Sequence, residues 1–198
     1  MEFIKAMQAG KSSSTPSGES LSAANRRGGF FETRYWLRDL ILSLLLAFIF
    51  IIFFYQPVQV EGTSMMPGLT NHERIFINKF VYRFEPIRRG DIVVFRFPLD
   101  PSKSYIKRVI GLPGETVQVR DGRVYINGHE LQEPYVPAAF WDHESFPAIT
   151  LASNQYYVLG DHRDSSNDSR EWGAIGRSDI YGKAVFVYWP FGQFGFLR

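Results

Sequence analysis

The 198-residue chain contains no cysteine. A disulfide framework, a cysteine-ligated zinc and a thiol nucleophile are therefore excluded, and any covalent chemistry must start from another side chain. The absence fits either side of a membrane. An excess of charge of one sign is also lacking: 22 basic against 20 acidic residues leave a formal charge of +2, and no dense Lys/Arg face tracks a phosphate backbone, which sets nucleic-acid binding aside. The Gly-x-Ser-x-Gly elbow of many serine hydrolases is missing, and beyond residue 55 no amphipathic helix of any length is legible. What is present, 45% apolar and 16% aromatic residues, suffices for the core of one medium domain plus an anchor and excludes disorder throughout.

The one long apolar run is Leu40 to Tyr55, in which Ser43 is the only clearly polar side chain. Its length is near the lower limit for crossing a bilayer, and Trp36 and Leu37 extend it if Arg38 snorkels to the headgroups. A buried core helix would show a polar face, and this run has none. A cleaved signal sequence would carry a short charged leader and a small-x-small site, whereas about 35 residues precede the run and Phe53-Phe54-Tyr55-Gln56-Pro57 follows. Lys5, Lys11, Arg26, Arg27, Arg34 and Arg38 lie before it, and the first basic residue after it is Arg74. The positive-inside bias predicts a cytoplasmic N-terminus and an extracytoplasmic remainder. The organisation expected is a disordered cytoplasmic leader over 1–35, rich in Ser, Pro and Gly, a transmembrane anchor over 36–56, and a β-rich domain over 57–198.

The fold class expected for that domain is mainly β, an antiparallel β-sheet domain following a single N-terminal transmembrane helix. Alternating β-branched and aromatic residues predict strands over Asp91–Phe97, Tyr105–Ile110, Thr116–Arg120, Arg123–Ile126, Tyr156–Leu159 and Lys183–Trp189. Asp121-Gly122 and Asn127-Gly128 predict hairpin turns between antiparallel neighbours. The prolines and aromatics between Glu133 and Thr150 suggest a surface loop or insertion. The aromatic, glycine-rich tail Tyr188 to Leu197 reads either as a final strand packed on the domain or as a segment resting at a lipid interface.

Two residues carry the candidate chemistry. Ser64, in Val60-Glu61-Gly62-Thr63-Ser64-Met65-Met66-Pro67, follows the apolar run by only a few residues, so a nucleophile there would work close to a membrane surface. A serine hydroxyl needs a base to take its proton during attack. His72, His129, His143 and His162 are all available in principle, since such groups assemble in space rather than in sequence. Lys107 is the other candidate: strand alternation puts it on one face with Tyr105 and Val109, opposite Ile106, Arg108 and Ile110. Burial penalises an ammonium and leaves a usable neutral amine. On spacing alone, the reading of Lys107 as ordinary surface charge on a solvated strand with Lys103 and Arg108 is favoured over that of a buried base.

Four segments in order resemble the motifs of bacterial type I signal peptidases, a serine–lysine protease family. They are Ser64-Met65-Met66-Pro67, Gly90-Asp91-Ile92-Val93-Val94-Phe95, the run Tyr105-Ile106-Lys107-Arg108-Val109-Ile110-Gly111-Leu112-Pro113-Gly114-Glu115, and Gly160-Asp161-His162-Arg163-Asp164-Ser165-Ser166-Asn167-Asp168-Ser169-Arg170-Glu171-Trp172-Gly173. The resemblance implies Ser64 as nucleophile, Lys107 as general base and Ser166 as a hydroxyl partner orienting the amine. It also implies Asp161, Asp168 and Arg170 as braces of the last segment, with Arg108 pairing with Asp161. No metal or organic cofactor is implied. The reaction implied is removal of signal peptides from exported preproteins through an acyl-enzyme, with cleavage after small-x-small sites. Implied partners are those preproteins, the lipid bilayer and the protein export machinery; the implied location is the cytoplasmic (inner) membrane, single-pass, N-terminus in the cytoplasm.

The sequence departs from the pattern at three places. Gly62 stands where some relatives carry a serine that supplies a second oxyanion donor, Gly68 where threonine is frequent, and His162 where asparagine is common. Three other functions compete. An autocleaving serine–lysine repressor would need a helix-turn-helix, which is not legible here. A membrane-tethered binding module would keep the fold without turnover and be indifferent to Ser64→Ala. A specialised processor would serve a narrow set of precursors.

Overall fold

The computed structural model describes residues 28–197, with side chains from residue 34 onward. Residues 1–27, most of the expected leader, lie outside the described residues. The chain divides into two compact units, Met1–Phe48 and Ile49–Arg198.

The helix α1 runs from Gly28 to Phe54, so helical backbone begins ahead of the expected anchor boundary at 36. Within it, Arg34–Phe54 is long and apolar enough to cross a membrane, and no residue of its apolar window is buried. A core helix would bury its apolar side chains; these stay exposed, as they do in a helix meant for lipid. Ser43, the polar exception, donates its hydroxyl to the Leu40 carbonyl at 2.9 Å, satisfying it within the helix.

The second unit is mainly β and antiparallel throughout. In chain order its strands are β1 (Tyr55–Gln59), β2 (Arg74–Asn78), β3 (Ile92–Phe97), β4 (Asp100–Gly111), β5 (Thr116–Arg120), β6 (Arg123–Ile126), β7 (His129–Glu130), β8 (Phe146–Thr150), β9 (Gln155–Leu159), β10 (Ile175–Gly176), β11 (Ile180–Trp189) and β12 (Gly195–Phe196). A larger sheet has the order β1-β2-β11-β3-β4-β9-β10, with β12 paired to β11; a smaller one has the order β7-β6-β5-β8. Pro57 sits in β1, an edge strand, where a missing backbone N–H leaves no gap in the ladder.

The six expected strands all form, several with longer ends. Asp121 and Gly122 join β5 to β6, and Asn127 and Gly128 join β6 to β7; all four have positive φ, the backbone of a tight hairpin turn that matches strand twist. The segment 133–150 is not wholly loop. Its last residues, Phe146–Thr150, form β8 against β5, and Ala138–Phe140 makes a single helical turn. At the C-terminus, Gly195 and Phe196 pair with Val187 and Phe186, while Phe191, Phe194 and Phe196 remain exposed.

Three apolar clusters hold the sheets. Phe95, Val93, Val109, Val158 and Ile175 form one. Ile110, Val117, Val124, Tyr157 and Leu159 join the smaller sheet to the larger. Met65, Leu69, Ile75, Ile92 and Val187 form the third, which anchors the loop between β1 and β2.

Candidate active site

The loop between β1 and β2 carries Ser64, and its conformation follows from local bonds. Val60 N–H donates to the Glu73 carbonyl (2.8 Å) and His72 N–H to the Val60 carbonyl (2.9 Å), closing the neck. Met66 N–H donates to the Thr63 carbonyl (3.0 Å) and Leu69 N–H to the Met65 carbonyl (2.8 Å), so the chain turns tightly about Ser64. Met65 and Leu69 are buried and fasten this turn to the core. Gly62 takes φ +95°, a backbone that a side chain strains, and its N–H donates to Asn71 Oδ1 at 2.9 Å. A serine at 62 would thus be strained, and the Gly62 N–H is already engaged.

Strand β4 places Lys107 beneath that turn. Its side chain is buried, and Nζ donates to Ser64 Oγ at 2.6 Å, closing a sequence gap that spacing alone does not reveal. The solvated-strand reading of Lys107 is overturned by this burial. Loss of hydration pushes its pKa down to about 8; Asp168 opposes that shift, Arg170 adds to it and Asp161 opposes it. A neutral amine is a base, and the contact then reverses, with the hydroxyl donating to nitrogen. None of the four histidines hydrogen-bonds Ser64 Oγ. His72 meets Gln59, His143 meets Asp121, His129 is exposed in β7, and His162 lies beside Thr63.

Arg108, the next residue of β4, points the other way. Its Nε and Nη2 donate to Asp161 Oδ1 and Oδ2 at 2.9 and 2.7 Å, and both side chains are almost fully buried. Nη1 donates to the Gly90 carbonyl, and the Tyr135 ring lies 4.1 Å from the guanidinium carbon. The two faces of one strand therefore hold a cation of lowered pKa toward Ser64 and a fully paired one away from it.

Asp168 is inaccessible to solvent. It caps the short helical turn Ser169–Trp172 and accepts from Gly160 N–H (3.0 Å) and from Arg170 Nε (2.8 Å). Arg170 also donates to the Arg163 carbonyl and to Asp142. Its pKa is raised: burial opposes the charge, but Asp168 and Asp142 outweigh that loss. The expected bond from Ser166 to Lys107 does not form: Ser166 Oγ is buried without a partner, and the amine bonds Ser64 Oγ. Ser166 nevertheless lies against Gly160, itself packed on the Ser64 carbonyl.

Gly160 is where the two loops touch. A Cβ there would stand 2.5 Å from the Ser64 carbonyl oxygen and 2.6 Å from Ser166 Cβ, and backbone cannot swing aside as a flexible side chain does. Gly160→Ala is expected to cost about 1–3 kcal/mol in unfolding free energy, the usual penalty of overpacking. Urea denaturation measures it, and an unchanged midpoint would contradict this close approach. Gly68, by contrast, has room: a Cβ would lie 3.5 Å from Asp161 Oδ2, an ordinary contact.

Reading the sequence missed Arg163, Glu133 and Asp142. Arg163 is buried and donates to both carboxylate oxygens of Glu133, at 2.9 and 2.5 Å, and to the Gly160 carbonyl. With Arg170–Asp142, these pairs tie the start and the middle of the 133–150 segment to the loop of Asp161 and Asp168. The only available signal was Arg163 standing inside a run of alternating charge. A cleft of about 740 Å³ opens beside Ser64 and Lys107, with Ile75, Ile77, Val94 and Ile106 among its walls.

Comparison with known proteins follows the same lines. A family described as "Signal peptidase, peptidase S26" matches residues 33–189. A signal peptidase I of Bacillus licheniformis is 36% identical over 86% of this chain and 95% of its own length. One from Leptolyngbya laminosa is 41% identical over 80% of this chain and 81% of its own. A solved signal peptidase I of Enterococcus faecalis V583 is 33% identical, covering 50% of this chain and 97% of its own, with a TM-score of 0.45.

Proposed function

The chain belongs to the peptidase S26 family of signal peptidases, and on that premise we propose that it is a membrane-anchored serine endopeptidase working through a Ser64–Lys107 dyad. It removes N-terminal signal peptides from exported preproteins, cutting after small-x-small sites. Residues 36–56 form its single-pass anchor in the cytoplasmic membrane, 1–35 its cytoplasmic leader and 57–198 its extracytoplasmic catalytic domain, where it meets preproteins delivered by the export machinery.

The observation that carries this reading is the 2.6 Å contact between Ser64 Oγ and the buried Lys107 Nζ. Neutral Lys107 accepts the hydroxyl proton as Ser64 Oγ bonds to the scissile carbonyl carbon. The carbonyl π electrons move to oxygen, and the Ser64 N–H donates to that developing charge. As the tetrahedral intermediate collapses, the C–N bond breaks and the Lys107 ammonium returns its proton to the departing amine. This leaves the signal peptide esterified to Ser64. A water then gives a proton to Lys107 and its oxygen to the ester carbon; the Ser64–acyl bond breaks as Lys107 passes that proton to Ser64 Oγ, restoring the hydroxyl and the neutral amine. The apolar walls of the cleft suit small side chains near the cut. The buried Arg108–Asp161 and Arg170–Asp168 pairs keep the surrounding loops in place, which matters because small displacements of reacting groups cost large factors in rate.

Incubating the detergent-solubilised chain with a signal-bearing preprotein, and sequencing the new N-terminus, tests the reading. Cleavage after a small-x-small site is expected, lost in both Ser64→Ala and Lys107→Ala. A folded wild type that leaves several preproteins intact would point to a specialised processor or a non-catalytic module. Activity surviving Lys107→Ala would return the role of base to a histidine.

A further inference from the structure

We propose that His162 is the residue that aims the Ser64 backbone N–H, holding it as an oxyanion donor by gripping the peptide units on both sides of the nucleophile. The inference rests on Ser64 being that nucleophile.

His162 touches the turn twice. Its backbone N–H donates to the Ser64 carbonyl at 3.1 Å, and its ring Nδ1 stands 3.2 Å from the Thr63 carbonyl oxygen. Since a carbonyl only accepts, the Nδ1 must carry the proton in that bond. On its far edge Nε2 lies 3.0 Å from Asp164 Oδ1, and the Phe140 ring packs on the imidazole with centroids 4.0 Å apart. The Thr63 contact and the Phe140 stack thus fix the ring on two sides.

The Thr63 carbonyl belongs to the same peptide unit as the Ser64 N–H. That unit is trans, since the cis bonds of the described chain are Met66–Pro67 and Trp189–Pro190. In a planar trans peptide the C=O and the N–H point in opposite directions. Holding the Thr63 oxygen on His162 therefore turns the Ser64 N–H away from His162, and among the described residues nothing accepts from it. Met66 N–H supplies the carbonyl's other bond, at 3.0 Å. Two donors on one carbonyl fix the peptide plane about its axis, where one would let it rock. They also polarise the unit, which strengthens its N–H as a donor. Because Gly62 N–H is spent on Asn71, the Ser64 amide carries more of the oxyanion's stabilisation.

Two substitutions separate donation from packing. His162→Asn keeps a side-chain N–H at the position of Nδ1 but loses the stack on Phe140; His162→Phe keeps the stack and loses the donor. Steady-state cleavage of a signal-bearing preprotein is measured for both, beside wild type and Ser64→Ala. Removing a direct oxyanion donor costs about 100-fold to 1,000-fold in kcat, so loss of the residue that aims it is expected to cost about tenfold to a hundredfold, with KM changed by less than about twofold. His162→Phe should show that loss, and His162→Asn should restore kcat to within about threefold of wild type. If His162→Phe retains wild-type kcat, or His162→Asn falls as far as His162→Phe, the proposal is overturned. Cleavage by Ser64→Ala would instead overturn the reading beneath it.

Discussion

Lys107→Met is expected to yield a chain that cleaves nothing measurable yet unfolds at higher temperature than wild type at neutral pH. Loss of activity follows from losing the base: removing one member of such a unit lowers kcat by about four to six orders of magnitude. The stability gain follows from burial. The folded-state pKa of Lys107 is about 8, below its ordinary value of 10.5. For a base, that depression means the folded chain binds fewer protons than the unfolded one between the two values. Stability therefore rises with pH through this window, and the full penalty for burying the charged ammonium is present below about pH 8. Methionine carries no such penalty, so its advantage at pH 7 is on the order of 3 kcal/mol and shrinks as pH climbs toward the ordinary lysine range. Differential thermal melting at pH 7 and pH 10 measures it. The same titration sets the rate of the wild type: only the neutral amine is competent, so kcat/KM should rise about tenfold per pH unit until near pH 8 and then level. A Lys107→Met chain that melts lower at pH 7, or a rate flat between pH 6 and 8, would contradict a buried lysine that titrates near 8.

Asp161→Ala is expected to destabilise the domain by about 3–5 kcal/mol, because it strands the Arg108 guanidinium in the interior. Arg108 and Asp161 are 4% and 1% exposed, respectively, so water cannot replace the lost carboxylate. The paired substitution Arg108→Met with Asp161→Leu removes both charges and should recover most of the loss, since a buried pair owes much of its apparent worth to the cost of breaking it. The control is Arg123–Glu130, whose side chains are 49% and 37% exposed; Glu130→Ala there should cost less than about 1 kcal/mol. Urea unfolding of the four chains decides the matter. An Asp161→Ala midpoint no lower than that of Glu130→Ala would show that the pair does not act as a buried one.

Much of the larger sheet was legible because its strands alternate over long runs, and the β5–β6–β7 hairpins of the smaller sheet because they turn at Asp121-Gly122 and Asn127-Gly128. What escaped was short or interrupted. β1 is five residues with Pro57 at its centre and follows the apolar helix directly, so its pattern merges with that of the anchor. β8 is hidden among the prolines of 133–150 because only its pairing with β5 makes it a strand. In the site, Ser64 and Lys107 were visible as candidates, but nothing in their spacing separated a buried base from a solvated lysine; the tertiary contact with Ser64 and the loss of water around Nζ do that. Arg163–Glu133 and Arg170–Asp142 were illegible for the same reason. Each joins residues far apart in sequence through loops without periodicity, and an arginine in a charged run looks identical whether it is solvated or buried. Ser166 shows the converse: resemblance assigned it a bond to Lys107, whereas its hydroxyl is packed against Gly160 and the amine is turned to Ser64.

The account stands on an ester formed at Ser64. Mixing the chain with excess signal-bearing preprotein, quenching in acid within the first turnover and mapping the digest by mass spectrometry tests this directly. The account predicts one modified peptide, the one containing Ser64, heavier by the acyl form of the released signal peptide and absent in Lys107→Met. Product formed in a burst with no adduct at Ser64, or an adduct at any other residue, would contradict it.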